Sequence, residues 1–220
     1  MKIFRILSLF CCIALALACA KEDSQEKGYD YEAVFIGDSI TANWTNPSKG
    51  GHPEFFTSNN FLAMGYSGKT TAGLKKLFKA SVINENPRQV VILAGINDVA
   101  QNDGEYVPNE KIVENLAWMA NEAAKNGIRV VLCSVTPCND SYSKLNPKNK
   151  GPHIIELNGM IKEYVDSKGF TYCNYWPALV DDDQLALHPN YRLYDNLHPG
   201  PDGYDVMEAI IKPIIDSLIN

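Results

Sequence analysis

Four short blocks of this 220-residue chain carry residue types that could do chemistry together. Gly37-Asp38-Ser39-Ile40 follows an apolar run without a break. A serine at a strand-to-helix turn holds its hydroxyl near the sheet edge, with its own N–H available as a donor; the plainer use of such a serine is a helix cap. Serine is a poor nucleophile until a base takes its proton. Asp195-Asn196-Leu197-His198-Pro199 supplies a candidate base, because histidine titrates in the right range. An aspartate three residues earlier can turn back within one tight segment, accept a hydrogen bond from the imidazole and fix its tautomer. His188-Pro189 repeats the dipeptide, but Leu185 stands three residues before it, so His188 is assigned to a loop or rim. His52 and His153 have no equivalent setting.

Two glycine-bearing blocks lie between the serine and the histidine. Gly65-Tyr66-Ser67-Gly68-Lys69-Thr70-Thr71 is neither a dinucleotide fingerprint nor a full phosphate loop, since its spacing is wrong for both. It reads as a turn into a helix, or as a place where the bare N–H of Gly68 meets an oxyanion with no side chain in the way. In Ala94-Gly95-Ile96-Asn97-Asp98, Asn97 is either a turn residue or a side-chain donor aimed at the same point. Converging donors from Ser39, Gly68 and Asn97 would make an oxyanion hole.

Each block follows an apolar run or precedes a helical pattern, which indicates what positions it. Residues 33–36, 61–64, 89–94, 128–135 and 170–175 read as strands apolar on both faces, as a parallel sheet covered on both sides requires. Residues 70–80, 110–125, 154–165 and 202–218 read as amphipathic helices. The second carries a stripe of Ile112, Val113, Leu116, Met119, Ala120 and Ala123 and is stopped by Asn126-Gly127. The third places Ile154, Leu157, Ile161 and Tyr164 inward, and the last Val206, Ala209, Ile210 and Ile214. Alternating strands and helices predict a three-layer α/β/α sandwich. Chemistry in such sheets collects at the carboxyl ends of the strands.

Taken together, the four blocks resemble the SGNH branch of the GDSL family of esterases and lipases. The likeness runs from Val34 to Gly203 with the blocks in the family's order. It implies a flavodoxin-like five-stranded parallel sheet of order 2-1-3-4-5, with Ser39 as nucleophile and Asp195 and His198 completing the triad. Ser39, Gly68 and Asn97 become the oxyanion hole, and no metal or organic cofactor is required. Ile40 stands where the family usually has leucine, and Met64 where asparagine is frequent; neither touches the chemistry.

Substrate is less legible. Tyr106, Tyr142, Trp176, Tyr191 and Tyr194 lie in the loops after the third to fifth strands and could form a rim of stacking platforms for sugars, or be scattered surface rings with local packing jobs. The preferred reading is removal of acetyl groups from a glycan or a small-molecule ester. Lysophospholipase or thioesterase activity on longer chains is the alternative, and a glycan-binding surface lipoprotein without turnover is the reading from another class.

The N-terminus reads as a targeting segment. Lys2 and Arg5 precede an apolar run from Ile6 to Ala18, too short to span a bilayer comfortably. Ala18-Cys19-Ala20 could be cut to release a soluble protein; alternatively Ala16-Leu17-Ala18-Cys19 resembles a bacterial lipoprotein signal, with Cys19 lipidated and residues 21–28 as tether. Residues 1–28 are therefore set apart from a single domain over 29–220, and the membrane is expected as a partner only through that anchor. Loss of Lys2 and Arg5 leaves 18 basic and 26 acidic residues, so the net charge moves from -6 to -8. With no basic stripe interleaved with aromatics, nucleic acid is not an expected partner. Cys133, Cys138 and Cys173 remain after the leader; an odd number is no disulfide framework, although a Cys133–Cys138 bridge stays open. No close cluster of histidine, cysteine and carboxylate suggests zinc.

Overall fold

The five apolar runs pair into one parallel sheet. The computed structural model describes residues 28–141 and 150–219; Cys19 with its leader and the rim candidate Tyr142 lie outside them. The strands are β1 (Tyr31–Gly37), β2 (Phe61–Gly65), β3 (Pro87–Leu93), β4 (Arg129–Cys133) and β5 (Thr171–Cys173), in the order β2-β1-β3-β4-β5. Residues 33–36 of β1, 90–93 of β3 and 130–133 of β4 are buried throughout, because helices cover both faces.

Between and after the strands run α1 (Ser39–Trp44), α2 (Pro53–Thr57), α3 (Thr71–Ser81), α4 (Ile96–Val99), α5 (Asn109–Lys125), α6 (Lys150–Lys168), α7 (Trp176–Leu179) and α8 (Pro201–Ile219). Helices α3, α5 and α6 pack side by side on one face. Helix α8 lies on the other, where Gln89 of β3 donates to the Ile215 carbonyl and Tyr204 donates to the Ile40 carbonyl of α1. A two-stranded antiparallel hairpin, β6 (Val180–Asp181) with β7 (Ala186–Leu187), follows α7.

The expected stripe of α5 is the buried one, with Val113 half-buried at its margin. The stripe of α8 is not. Its buried residues are Tyr204, Met207, Ile211 and Ile215, while Val206, Ile210 and Ile214 are half-buried and Ala209 is exposed. Two neighbouring apolar stripes compete on this helix, and the aromatic cluster under α1 decides between them. Tyr204 stacks on Trp44 at 5.3 Å, and Trp44 stacks on Phe55 at 5.8 Å. Such pairs add roughly 0.5–1.5 kcal/mol beyond the area they bury. Cys133 and Cys173 face each other across β4 and β5 and, like Cys138, are buried free thiols, so no Cys133–Cys138 bridge is present.

Candidate active site

The β1 strand ends at Gly37 because nothing larger fits there. A Cβ would run into the Thr41 side chain and the Leu93 carbonyl. With that space kept, the chain turns at once into α1, and Asp38 caps the turn by accepting from the Ile40 N–H at 2.9 Å. Ser39 is therefore the first residue of α1, at the carboxyl edge of the sheet, where its own N–H has no intrahelical acceptor.

The histidine arrives from the far end of the sequence on an equally local device. Asp195 Oδ1 accepts from the N–H groups of Leu197 (3.1 Å) and His198 (3.0 Å), and Asn196 takes φ +61° to close the turn. That leaves Asp195 Oδ2 at 2.6 Å from His198 Nδ1, while His198 Nε2 lies 2.8 Å from Ser39 Oγ. Partial burial pushes the Asp195 carboxyl upward, but the hydrogen bonds from His198 and Leu197 and the nearby imidazole outweigh it, so its pKa sits below the ordinary aspartate value. An ionised carboxylate here favours the tautomer with the proton on Nδ1, leaving Nε2 to accept the serine proton. The Tyr204–Ile40 hydrogen bond (2.8 Å) ties α8 to α1 and so sets the spacing of the two halves.

Gly68 lies in the turn after β2 at φ +75°, the left-handed region, with open space where a side chain would stand. Asn97 is the second residue of α4, buried, with its Nδ2 donating to the Lys69 carbonyl at 3.0 Å. Ser39, Gly68, Asn97, Asp195 and His198 line one open cavity of about 420 Å³. Its remaining walls are Asn43, Ser48, Lys49, Ser67, Asn102, Leu193 and Tyr194. Beneath it lie two buried carboxylates. Asp38 is raised to about 7, chiefly by burial and secondarily by the charge of Asp98; Asp98 is raised to about 6 by burial, although Thr71 donates to it through both N–H and hydroxyl.

The aromatic candidates separate. Tyr194, 94% exposed, stands at the mouth of the cavity. Trp176 does not: it lines a different pocket, with Tyr172, Asn174 and Lys162, beside the edge strand β5. It is carried there by α7, which starts immediately after β5. Tyr191 packs half-buried against the core beside His188, and Tyr106 stacks on His153 at 6.1 Å; neither lines the cavity. His188 caps a 3-10 turn (Pro189–Tyr191) by accepting from the Asn190 N–H. His52 does have a carboxylate setting that the sequence does not show. It faces Glu208 at 3.0 Å and Asp205 at 3.6 Å, three side chains with the types to ligate a cation, yet the same Glu208 oxygen also accepts from the Trp44 indole. Asn43 stands one helical turn after Ser39 on α1, Ser48 and Lys49 share the 3-10 turn Pro47–Lys49, and Ser67 sits beside Gly68 in the turn after β2; with Asn102, none of them carries a chemical motif that marks it in the sequence as a cavity residue.

The GDSL-like Lipase/Acylhydrolase family model matches residues 35–206. Among solved structures, the chain is 34% identical to a protein of Bacteroides fragilis NCTC 9343 assigned as an acylhydrolase, covering 89% of this chain and 90% of that one at a TM-score of 0.81. It is 37% identical to a GDSL-like lipase from Bacteroides thetaiotaomicron VPI-5482, covering 84% and 87% at a TM-score of 0.78. An acetylxylan esterase from Geobacillus stearothermophilus shares the fold (TM-score 0.67, 86% and 95% covered) at 18% identity. A curated relative, an uncharacterized lipoprotein of Bacillus subtilis (strain 168), is 29% identical over 87 residues, a match spanning 39% of this chain and 36% of that protein. With the sheet order, the serine at the end of β1 and the family match over most of its length, the chain belongs to the GDSL-like lipase/acylhydrolase family.

Proposed function

We propose that the protein is a serine ester hydrolase that removes short acyl groups, acetyl above all, from a hydroxyl-rich alcohol such as a glycan. The observation that carries this reading is the contiguous relay Asp195–His198–Ser39, with contacts of 2.6 and 2.8 Å, opening on a cavity lined mostly by residues with polar side chains. His198 Nε2 takes the proton as Ser39 Oγ bonds to the ester carbonyl carbon. The negative charge then on the carbonyl oxygen is met by the Ser39 and Gly68 N–H groups and by Asn97 Nδ2. His198 returns its proton to the alcohol oxygen as the ester C–O bond breaks. A water molecule, deprotonated by the same nitrogen, then cleaves the acyl-serine and releases the acid.

The cavity walls support the short-acyl reading. A buried methylene gains roughly 0.8 kcal/mol only where an apolar surface covers it. Here Leu193 and Tyr194 are the large apolar side chains among lining residues otherwise rich in amides, hydroxyls and one ammonium, so no continuous aliphatic wall is present among the described residues. Asn43, Ser48 and Lys49 are instead suited to hydrogen-bond sugar hydroxyls. The test is a series of 4-nitrophenyl esters. kcat/KM is expected to fall from acetate through butyrate to octanoate, and acetate is expected to be released from acetylated xylan. A steady rise with chain length would favour the lysophospholipase or thioesterase alternative.

We further infer that Cys19 anchors the mature protein to an envelope membrane through lipid, a reading supported by the lipoprotein-like leader and by the lipoprotein relative. Cys19→Ser should move the protein out of the detergent phase; wild-type protein recovered wholly soluble would contradict it.

A further inference from the structure

Asn97 can serve an oxyanion only if its amide nitrogen, and not its oxygen, is directed at the cavity. Two contacts fix that choice. The Lys69 carbonyl can only accept, so the Asn97 atom 3.0 Å from it is the nitrogen. The oxygen then faces Asn102, whose Nδ2 donates to Asn97 Oδ1. Rotating the Asn97 amide by half a turn would set oxygen against oxygen at Lys69 and nitrogen against nitrogen at Asn102. With one N–H spent on Lys69, the second is left for the cavity that both asparagines line.

Asn102 reaches Asn97 because of how α4 ends. Gln101 adopts φ +55°, an unusual conformation for a non-glycine residue, and its N–H bonds to the Asp98 carbonyl at 3.0 Å. The Asn102 N–H bonds to the Asn97 carbonyl, also at 3.0 Å. These are the paired bonds of a Schellman cap, which folds the second residue past the helix back over the helix residue five positions earlier. That contact is ordinarily apolar; here it is an amide–amide hydrogen bond. The neighbouring Asp103 accepts from the Thr70 hydroxyl at 2.8 Å and so holds the segment that carries Gly68.

We propose that Asn102 is a positioning residue for the oxyanion hole, fixing the Asn97 amide with its nitrogen toward the reacting carbonyl. The proposal rests on the reading of Asn97 as an oxyanion donor, and its test separates the two. Wild type, Asn97→Ala, Asn102→Ala, Asn102→Asp and the Asn97→Ala/Asn102→Ala double variant are compared on 4-nitrophenyl acetate, with a melting curve for each. Asn97→Ala should lose ~10²–10³ in kcat, the cost of one oxyanion donor. Asn102→Ala should lose about tenfold in kcat, the order of one hydrogen bond, with KM little changed. In the Asn97→Ala background the second substitution should cost nothing further, because it acts only through Asn97. Asn102→Asp adds a pH signature. Its protonated carboxyl can still donate to Asn97 Oδ1 and its carboxylate cannot, so its kcat relative to wild type should fall as pH rises, whereas the alanine ratio stays flat. Full activity of Asn97→Ala would overturn the donor reading and the proposal with it. An impaired Asn97→Ala beside an unimpaired Asn102→Ala, or losses that multiply in the double variant, would overturn the positioning role alone.

Discussion

His198 and His52 each face a carboxylate from positions against or just before α8, His198 at 2.6 Å from Asp195 and His52 at 3.0 Å from Glu208. They differ in what stands around the pair. His198 presents its other nitrogen to a serine hydroxyl in an open cavity. The carboxylate of His52 is shared with an indole N–H from Trp44, a group with no nucleophilic chemistry, and the imidazole packs edge-on to Tyr204. A histidine–carboxylate pair is therefore not by itself a catalytic unit; the groups around the pair decide whether it can act as a base or as a brace.

Removing each imidazole should show that difference at its largest. On the proposed mechanism His198→Ala loses ~10⁴-fold or more in kcat with the fold intact, since residual rate then comes from the oxyanion donors and binding alone. His52→Ala should keep kcat and lower the melting temperature modestly, because Glu208 still accepts from the Trp44 indole and the loss is that of one part-buried hydrogen bond, about 0.5–1.5 kcal/mol. Steady-state kinetics beside thermal melts read both effects, and an inactive His52→Ala with an active His198→Ala would reverse the assignment.

The carboxylates sharpen the same contrast. Asp195→Asn retains the shape but favours the wrong imidazole tautomer, and by analogy with other triads it should cost ~10⁴ in kcat. Glu208→Gln should leave kcat near wild type and weaken only the contacts with His52 and the Trp44 indole. Because Asp195 is held below the usual aspartate range, the wild-type rate should not be limited by its protonation at neutral pH; activity should instead rise from acid toward neutral pH as a histidine base loses its proton.

The smallest effect concerns stability rather than turnover, at the buried carboxylate under Ser39. Asp38 is raised from 3.8 to about 7 in the folded protein, mainly by burial. A group raised on folding contributes its stability below the unfolded value and loses it as pH climbs to the folded one. Asp38→Asn keeps the Oδ1 acceptor for Ile40 and does not titrate. Its stability relative to wild type should therefore grow between about pH 4 and 7 and level off above, by on the order of a few kcal/mol at most. Denaturant melts at pH 4, 6 and 8 that show a constant difference would contradict the burial argument.

The two histidine pairs also show what a sequence can disclose. Asp195 and His198 are three residues apart, so their pairing is a property of one turn and can be read directly. His52 and Glu208 are 156 positions apart and meet only through the packing of α8 on the aromatic cluster. The same divide runs through the fold. Strands apolar on both faces, and the α5 stripe, are dictated by local periodicity. The inward face of α8 is not, since two apolar stripes compete there and Tyr204 settles the choice by stacking on Trp44. Ser39, Gly68 and Asn97 are legible because each directly follows a strand or its turn. Trp176 follows β5 just as closely, yet α7 starts so soon after that strand that its ring lines the pocket beside the sheet edge and not the cavity. Asn102 gives no signal at all, because its position over Asn97 depends on Gln101 taking a left-handed conformation that glutamine rarely adopts.

The central claim is that Ser39 is the nucleophile. A fluorophosphonate reacts with a serine only where a base activates it and oxyanion donors accept the phosphoryl oxygen. Intact-mass measurement after incubation should give a single adduct, mapped by peptide analysis to the segment containing Ser39. It should be absent in Ser39→Ala and strongly slowed in His198→Ala. An adduct on another serine, or ester hydrolysis that survives in a folded Ser39→Ala protein, would contradict the account.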